Sequence, residues 1–432
     1  MAIISISDSQ VNSADQILVA DASSKIPAKD GSQITILNAS NVATGTIASA
    51  RLDVGTTANK LVQLDGSGNL PAVDASQLTG IVSATISASD PTVSTNPSGG
   101  VGTEWLNSTS GEMYICTDAT AGANVWTNVG AGSGDVEPHQ MQGTTYGYVT
   151  GTSGYADVIQ RFPFAAAGNS VDVGDMSQGR SSGAGHCSAT HGYVTGGNTA
   201  APTLTLIIEK YSFATGTQNG SNIGNITEQR TYPAGSTSST HGYTAGGNAS
   251  ASGTGGGVTI DRFPFATDTN SSDVGDLTVG RQHLGGQSST THGYCTGGYA
   301  SFHNVIDKYS FSASATATDV GNLTAAKNIE AAASDVVSTA SGYTMGGYNG
   351  GNNNVIEKFS FTTDGNAVDL ADLTQSRREC IGSSSETHGY ASGGYTSSSV
   401  NTIDRFSFSA GSNSVDHGDL LTSDYAYSAT QV

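Results

Sequence analysis

From Tyr146 onward, apolar and polar positions alternate with the period of two expected of β-strands, and the alternation comes in a unit that recurs six times. Each unit opens on a Gly-Tyr stretch that ends in glycine: YGYVTG at 146, HGYVTGG at 191, HGYTAGG at 241, HGYCTGG at 292, SGYTMGG at 341 and HGYASGG at 388. The Gly-Tyr glycines (147, 192, 242, 293, 342, 389) lie 45 to 51 residues apart. A second strand-like stretch follows in each unit: VIQRFPF, IIEKYSF, TIDRFPF, VIDKYSF, VIEKFSF and TIDRFSF. A third follows that: VDVGDM, SNIGNI, SDVGDL, TDVGNL, VDLADL and VDHGDL. A basic residue and a Ser/Gly-rich stretch then lead to the next Gly-Tyr. In TIDRFPF, Phe263 and Phe265 fall on one face of the strand, while Ile260 and Arg262 point to the other. Tyr309/Phe311 and Phe406/Phe408 repeat the arrangement. Both faces carry bulk, so each sheet should be covered on both sides.

Stacked blades of a β-propeller provide that cover, and four strand-like segments in a period near 50 match one blade. The expectation for 136–432 is a six-bladed propeller. Its final DYAYSATQV aligns with the stretch that leads into a Gly-Tyr, so the C-terminus is expected to supply the strand that closes the blade opening at Tyr146. HQMQGTT, just before Tyr146, competes for that place. The residues resemble kelch repeats: Gly-Gly ends the second strand, an aromatic pair marks the third, and a short apolar motif ends the blade. The kelch tryptophan of the fourth strand is replaced by Met176, Ile226, Leu277, Leu323, Leu373 and Leu420.

The front third reads differently. Residues 1–85 show no helix-length hydrophobic period, only short β pieces between turn signals such as KLVQL-DGSG-NLPAV. LNASNVATG from Leu37 is echoed by VDASQLTG from Val73. So little apolar content suits intertwining with identical chains better than a monomeric domain. GTIASARLDVGTTANKLVQLDGSGNLPAVDASQLTGI resembles the N-terminal shaft of bacteriophage tail fibres, which implies homotrimerisation and attachment to other tail or baseplate proteins. In 86–135, TEWLN-STSG-EMYIC-TDATAGAN-VWTNVG predicts three short strands and resembles a small β module of phage tail proteins. Trp105 and Trp126 are expected to form its core, with sugar stacking as the alternative. The fold class expected overall is all-β.

Charge narrows the function classes. Lys and Arg number 16 against 36 Asp and Glu, a net charge of −20 that repels a phosphate backbone, so nucleic acid is not an expected partner. Charged residues make up only 12% of the chain, about half the usual ~25%. Cys116, Cys187, Cys295 and Cys380 form no CxxC pair and suggest neither zinc nor a disulfide framework. MAIISISDSQ carries no signal-peptide pattern, and no run approaches the ~18 apolar residues of a membrane span. No cofactor or metal is expected.

Several repeated residues are candidates for chemistry. His191, His241, His292 and His388 start Gly-Tyr motifs in different units, too far apart to share a metal, and are expected to be turn or packing residues. The pairs Glu209/Lys210, Asp261/Arg262, Asp307/Lys308, Glu357/Lys358 and Asp404/Arg405 are strand neighbours that point to opposite faces, which suits hydrogen bonding between blades better than acid–base catalysis. Asp-Val-Gly-Asp stretches such as Asp172–Asp175 read as turn caps. Arg180, Arg230, Arg281, Lys327 and Arg377 share one position before the first strand, where they either ring a channel mouth or bond carbonyls at the blade junction; the sixth position holds Asp424. The loops between second and third strands vary most in length, and variable loops on a rigid scaffold favour binding. They place Asn198, Asn248, Tyr299, Tyr348 and Tyr395 directly after the glycines, with Phe302 nearby, all suited to sugar recognition or to covering the blade end.

These features together suggest a phage tail fibre whose distal propeller adheres to host surface polysaccharide or lipopolysaccharide, made in the host cytoplasm and carried on the virion. A structural virion component, such as a capsid decoration or a nozzle part, is the alternative. A polysaccharide-degrading enzyme is less favoured, because no single unit breaks the repeat to install an isolated carboxylate pair.

Overall fold

A computed structural model describes residues 84–129 and 145–430, apart from 201–202, 215–217, 250–254, 330 and 426. Contacts divide the chain into Met1–Ala84 and Thr85–Val432. The shaft expected over 1–85 therefore lies almost wholly outside the described residues, as do the 135/136 boundary and all of HQMQGTT except Thr145. The described residues are all β, with no helix.

The repeat forms six four-stranded antiparallel sheets, each with its strands side by side in the order first to fourth. Sheet 2 comprises Ala184–Cys187, His191–Thr195, Ile207–Ser212 and Ser221–Asn225. Sheet 3 comprises Ala234–Thr237, His241–Ala245, Thr259–Pro264 and Ser272–Asp276, and sheet 4 Gly285–Ser288, His292–Thr296, Val305–Ser310 and Thr318–Asn322. Sheet 5 comprises Ala332–Asp335, Ser341–Met345, Val355–Ser360 and Val368–Asp372, and sheet 6 Ile381–Ser384, His388–Ser392, Val400–Ser407 and Val415–Asp424. Sheet 1 joins the two ends of the repeat: Ser428–Thr430 pairs antiparallel with Tyr146–Thr150, followed by Val158–Pro163 and Val171–Asp175.

The Gly-Tyr motif has a steric origin. Gly242 stands opposite Phe263 in the strand register, and a β-carbon there would overlap the Phe263 ring. The glycine lets an aromatic ring of the third strand lie flat across the second. The tyrosine beside it then stacks on the next sheet's second aromatic. These stacks are Tyr148–Phe213, Tyr193–Phe265, Tyr243–Phe311, Tyr294–Phe361, Tyr343–Phe408 and Tyr390–Phe164, with ring centroids 4.7–4.9 Å apart. The last runs from sheet 6 to sheet 1. On the opposite face of each third strand, Ile159, Ile208, Ile260, Ile306, Ile356 and Ile403 are at most 1% exposed, so both faces are indeed covered. Met176, Ile226, Leu277, Leu323, Leu373 and Leu420, which end the units, are buried as well.

The first strands are built of small residues because they approach one another closely. A β-carbon on Gly286 would meet the Gly235 carbonyl, and one on Gly235 would meet that of Gly185. Backbone N–H groups donate from sheet to sheet: Cys187 to Thr237 Oγ1, Thr237 to Ser288 Oγ, Ser288 to Ser334 Oγ and Ser334 to Ser384 Oγ, at 2.8–3.3 Å. Each first strand touches the next, and Ser428–Thr430 touches those of both sheet 2 and sheet 6. Along the fourth strands, Asp172, Asp273 and Asp319 each accept the N–H two residues on at 3.1 Å, which makes them local caps.

Residues 84–129 form a sheet of four strands, one more than the sequence suggested. Glu104–Asn107, Met113–Asp118 and Val125–Asn128 are the expected three, and Thr85–Ser87 adds a parallel edge to the first of them. Trp126 is fully buried beside Tyr114 and Cys116, with Trp105 packed edge-on at 5.7 Å. Both indoles serve the core of this module.

Candidate functional site

The loops between second and third strands and the connections between fourth and first strands meet at one end of the sheets. Gly-Gly turns the chain there: Gly297 and Gly298 have φ of 61° and 114°, open to glycine and costly for most other residues. The next residue bridges to the one following the repeated cation: Asn198 to Ser181, Asn248 to Thr231, Tyr299 to Gln282, Tyr348 to Asn328 and Tyr395 to Arg378. The candidate loop residues are thus held by backbone pairing rather than left on free loops.

Their side chains fall into two groups. Asn198 is half-buried and donates from Nδ2 to Thr231 Oγ1 at 3.1 Å, while Asn248 is 6% exposed, too covered to present its amide. The aromatic residues instead form one continuous half-exposed row across sheets 4 to 6. Tyr299 meets Phe302 at 5.3 Å and Phe302 meets Tyr348 at 6.1 Å. The Arg378 guanidinium lies over Tyr348 at 4.9 Å and over Tyr395 at 4.7 Å, and Tyr395 meets Tyr425 at 5.7 Å. Asn352 fixes the row from behind, donating from Nδ2 to the Tyr395 and Thr396 carbonyls and accepting from Arg378 Nη1 at 3.3 Å. Arg378 also pairs with Glu379 at 3.3 Å. The result is a partly exposed row in which aromatic rings alternate with a guanidinium laid over two of them, with amide and phenol groups alongside.

Sequence reasoning missed Arg378, Asn352 and Tyr425. Arg378 follows a repeated cation and has no charged counterpart in the other units, a break in the repeat that could have marked it. Tyr425 follows Asp424, in the connection where the repeat loses its cation.

The repeated cations are placed differently from a ring of open charges at a channel mouth. Arg180, Arg230, Arg281, Lys327 and Arg377 are at most 1% exposed. Each pairs with an equally buried carboxylate, Glu209, Asp261, Asp307, Glu357 and Asp404 respectively, at 2.5–3.1 Å. They also bond carbonyls; Arg281, for example, donates to Gly297 and Cys295. Each carboxylate further accepts from a residue just after the fourth strand of the preceding sheet, as Asp307 does from Thr278 N and Oγ1. These groups bolt one sheet to the next and are not available to a ligand. Burying five ion pairs is tolerable because each cation meets its own carboxylate and the arginines also donate to backbone carbonyls, with Nε of Arg377 left without a partner among the described residues. Where the sixth cation is absent, the carboxylate is absent too: Gln160 takes its place, accepting from Ser170 Oγ at 2.7 Å and Leu421 N at 3.1 Å.

The four motif histidines begin second strands, at the end opposite the loops. His191, His241, His292 and His388 each place Nδ1 at 2.8 Å from the preceding threonine hydroxyl, and burial lowers their pKa. No group of three or more potential metal ligands occurs among the described residues.

Between the first strands lies a small cleft open to solvent. Its walls come from the starts of all six first strands and the residues just before them, so it sits at the same end as the aromatic row. Ser182, Tyr232 and Glu379 line it with φ of 57°, 53° and 53°, a conformation non-glycine residues rarely adopt.

No protein-family model matches this chain, and a search of curated proteins finds no significant match.

Proposed function

We propose that this chain is a receptor-binding tail fibre of a bacteriophage, which attaches the virion to a host surface glycan through a six-bladed kelch-like propeller closed by its C-terminal strand. In favour of closure stand the Tyr390–Phe164 stack and the Ser428–Thr430 strand, which join the last unit to the first. The observation that carries the binding role is the row Phe302–Tyr348–Arg378–Tyr395–Tyr425, contributed by neighbouring units at the end where loop length varies. Its rings lie at the surface and are only partly covered, Phe302 being 37% exposed. The front third trimerises and joins other tail or baseplate proteins, which presents three copies together and raises weak affinities roughly 10²- to 10⁴-fold. The fibre is made in the host cytoplasm, is carried on the virion, and works by adhesion without a catalytic step.

The test is binding of the labelled full chain to a panel of intact bacterial strains, beside Tyr348→Ala and Tyr395→Ala. Adhesion to at least one strain, lost in both variants, is the expected result. Absence of adhesion to every strain the particle adsorbs to would turn the assignment to a structural virion part. Sedimentation of the chain as a monomer at micromolar concentration would remove the trimer.

A further inference from the structure

The chain contains two Asn-Gly pairs, Asn219-Gly220 and Asn349-Gly350. An asparagine followed by glycine is open to self-modification, because no β-carbon shields the next amide nitrogen from the side-chain carbonyl carbon. The fold treats the two pairs differently. Asn219 Oδ1 accepts from Asp175 N at 3.1 Å, and Gly220 N donates to the Asp175 carbonyl at 2.8 Å. Asn169, Asn270, Asn366 and Asn413 accept a backbone N–H of a neighbouring sheet in the same way, so Asn219 is one of a set of joints between sheets. Asn349, Gly350 and Gly351 are all exposed, and neither the Asn349 amide nor the Gly350 N–H has a hydrogen-bond partner among the described residues. A β-carbon on Gly350 would meet nothing within 4 Å, so nothing packs over the place of attack. The turn that carries Asn349 also supports the aromatic row: Tyr348 and Asn352 bridge across it, Tyr348 lies beneath Arg378, and Asn352 accepts from Arg378 Nη1.

We propose that Asn349 is a site of spontaneous deamidation and that its conversion loosens the aromatic row; only the consequence for adhesion rests on the adhesin reading above. Gly350 N attacks Asn349 Cγ. The N–Cγ bond forms as the Cγ–Nδ2 bond breaks, and Nδ2 leaves as ammonia, taking up the proton that Gly350 N gives up. Water then opens the resulting succinimide at either carbonyl. Opening at Cγ leaves aspartate, and opening at the main-chain carbonyl leaves isoaspartate, with Cβ now part of the backbone. Both products place a carboxylate next to Tyr348. Isoaspartate also lengthens the turn between Tyr348 and Asn352, the two residues that hold Arg378 in place.

The experiment incubates the full chain in mildly alkaline buffer and follows both pairs by peptide mass spectrometry, with chromatographic separation of aspartate from isoaspartate. Asn349 should convert about tenfold faster than Asn219 or more, because two hydrogen bonds must open before Gly220 can attack. In denaturing urea that gap should close. Hydrogen exchange reads the row itself: the Tyr348 and Tyr395 amides, which donate to the Asn328 and Arg378 carbonyls, should exchange faster once Asn349 has converted. Asn349→Gln, which keeps an amide but disfavours the ring closure, should show neither change on the same incubation. Adhesion of the aged wild type to a strain that the fresh chain binds should fall as isoaspartate accumulates, while aged Asn349→Gln keeps its adhesion. Equal conversion of the two pairs in the folded chain, or faster conversion of Asn219, would overturn the site. Conversion of Asn349 with unchanged exchange at Tyr348 and Tyr395 would overturn the loosening. Should the fresh chain bind no strain, the adhesin reading fails by itself, and conversion and exchange still decide this proposal.

Discussion

His186 offers the sharpest test of how the first strands are packed. It is fully buried where the equivalent positions of the neighbouring first strands hold Ser236 and Gln287. Its Nδ1 lies 3.2 Å from the Ser236 carbonyl, so Nδ1 carries the proton, and Nε2 accepts from the Thr195 or Thr244 hydroxyl at 3.0 and 3.2 Å. Burial is the main cause of a pKa lowered from 6.5 to about 4. The unfolded chain therefore takes up a proton at higher pH than the folded one. The stability contributed by neutral His186 is fully present above the unfolded value of 6.5 and drains away as pH falls toward the folded value near 4. A difference of about 2.5 units corresponds to about 3 kcal/mol. His186→Gln removes the titration but retains a hydrogen-bonding group of the kind Gln287 uses to reach Thr296 Oγ1 at 3.0 Å and the Tyr343 carbonyl at 3.1 Å. Urea unfolding of both proteins between pH 8 and 4 isolates the term, since every other group titrates in both. The wild type should lose about 3 kcal/mol more than the variant across that range, with the two within about 1 kcal/mol at pH 8. Parallel pH curves would refute the assignment of a neutral, fully bonded His186.

Other substitutions test the remaining joints. Gln160→Glu puts a carboxylate where no cation waits and should cost about 3–5 kcal/mol in urea unfolding; adding Asp424→Arg should recover much of it by rebuilding the pair found in the other five units. Gly242→Ala in an ordinary strand would stabilise by about 0.5–1 kcal/mol, but beneath the Phe263 ring it should destabilise by about 1–3 kcal/mol, read as a lower melting temperature. Phe302→Ser removes a ring 37% exposed, so it should leave the melting temperature nearly unchanged while weakening adhesion to cells.

Much of the framework was legible without coordinates, because it rests on local rules applied six times over. Alternation specified the strands, and the Gly-Gly pairs marked the turns that only glycine enters without strain. The recurrence of Gly-Tyr opposite an aromatic pair announced a cross-strand contact. The C-terminal stretch matched the missing first strand closely enough to be assigned to the sheet of Tyr146–Thr150, where it pairs.

What the sequence could not supply were relations between units. Five basic residues at one position suited bonds to carbonyls at the junction of units better than an open ring, yet the sequence named no carboxylate partner for them; those partners lie 26 to 31 residues further along, and only folding brings them to the guanidinium and ammonium groups. The Asn and Tyr residues after Gly-Gly share one alignment column, yet Asn248 is covered while Tyr348 and Tyr395 flank Arg378. Strand periodicity is written in the spacing of neighbours along the chain, so the sequence by itself determined the strands, turns and repeat. Burial, charge pairing and the continuity of the aromatic row depend on distances between side chains far apart in sequence, and those only the tertiary structure decided.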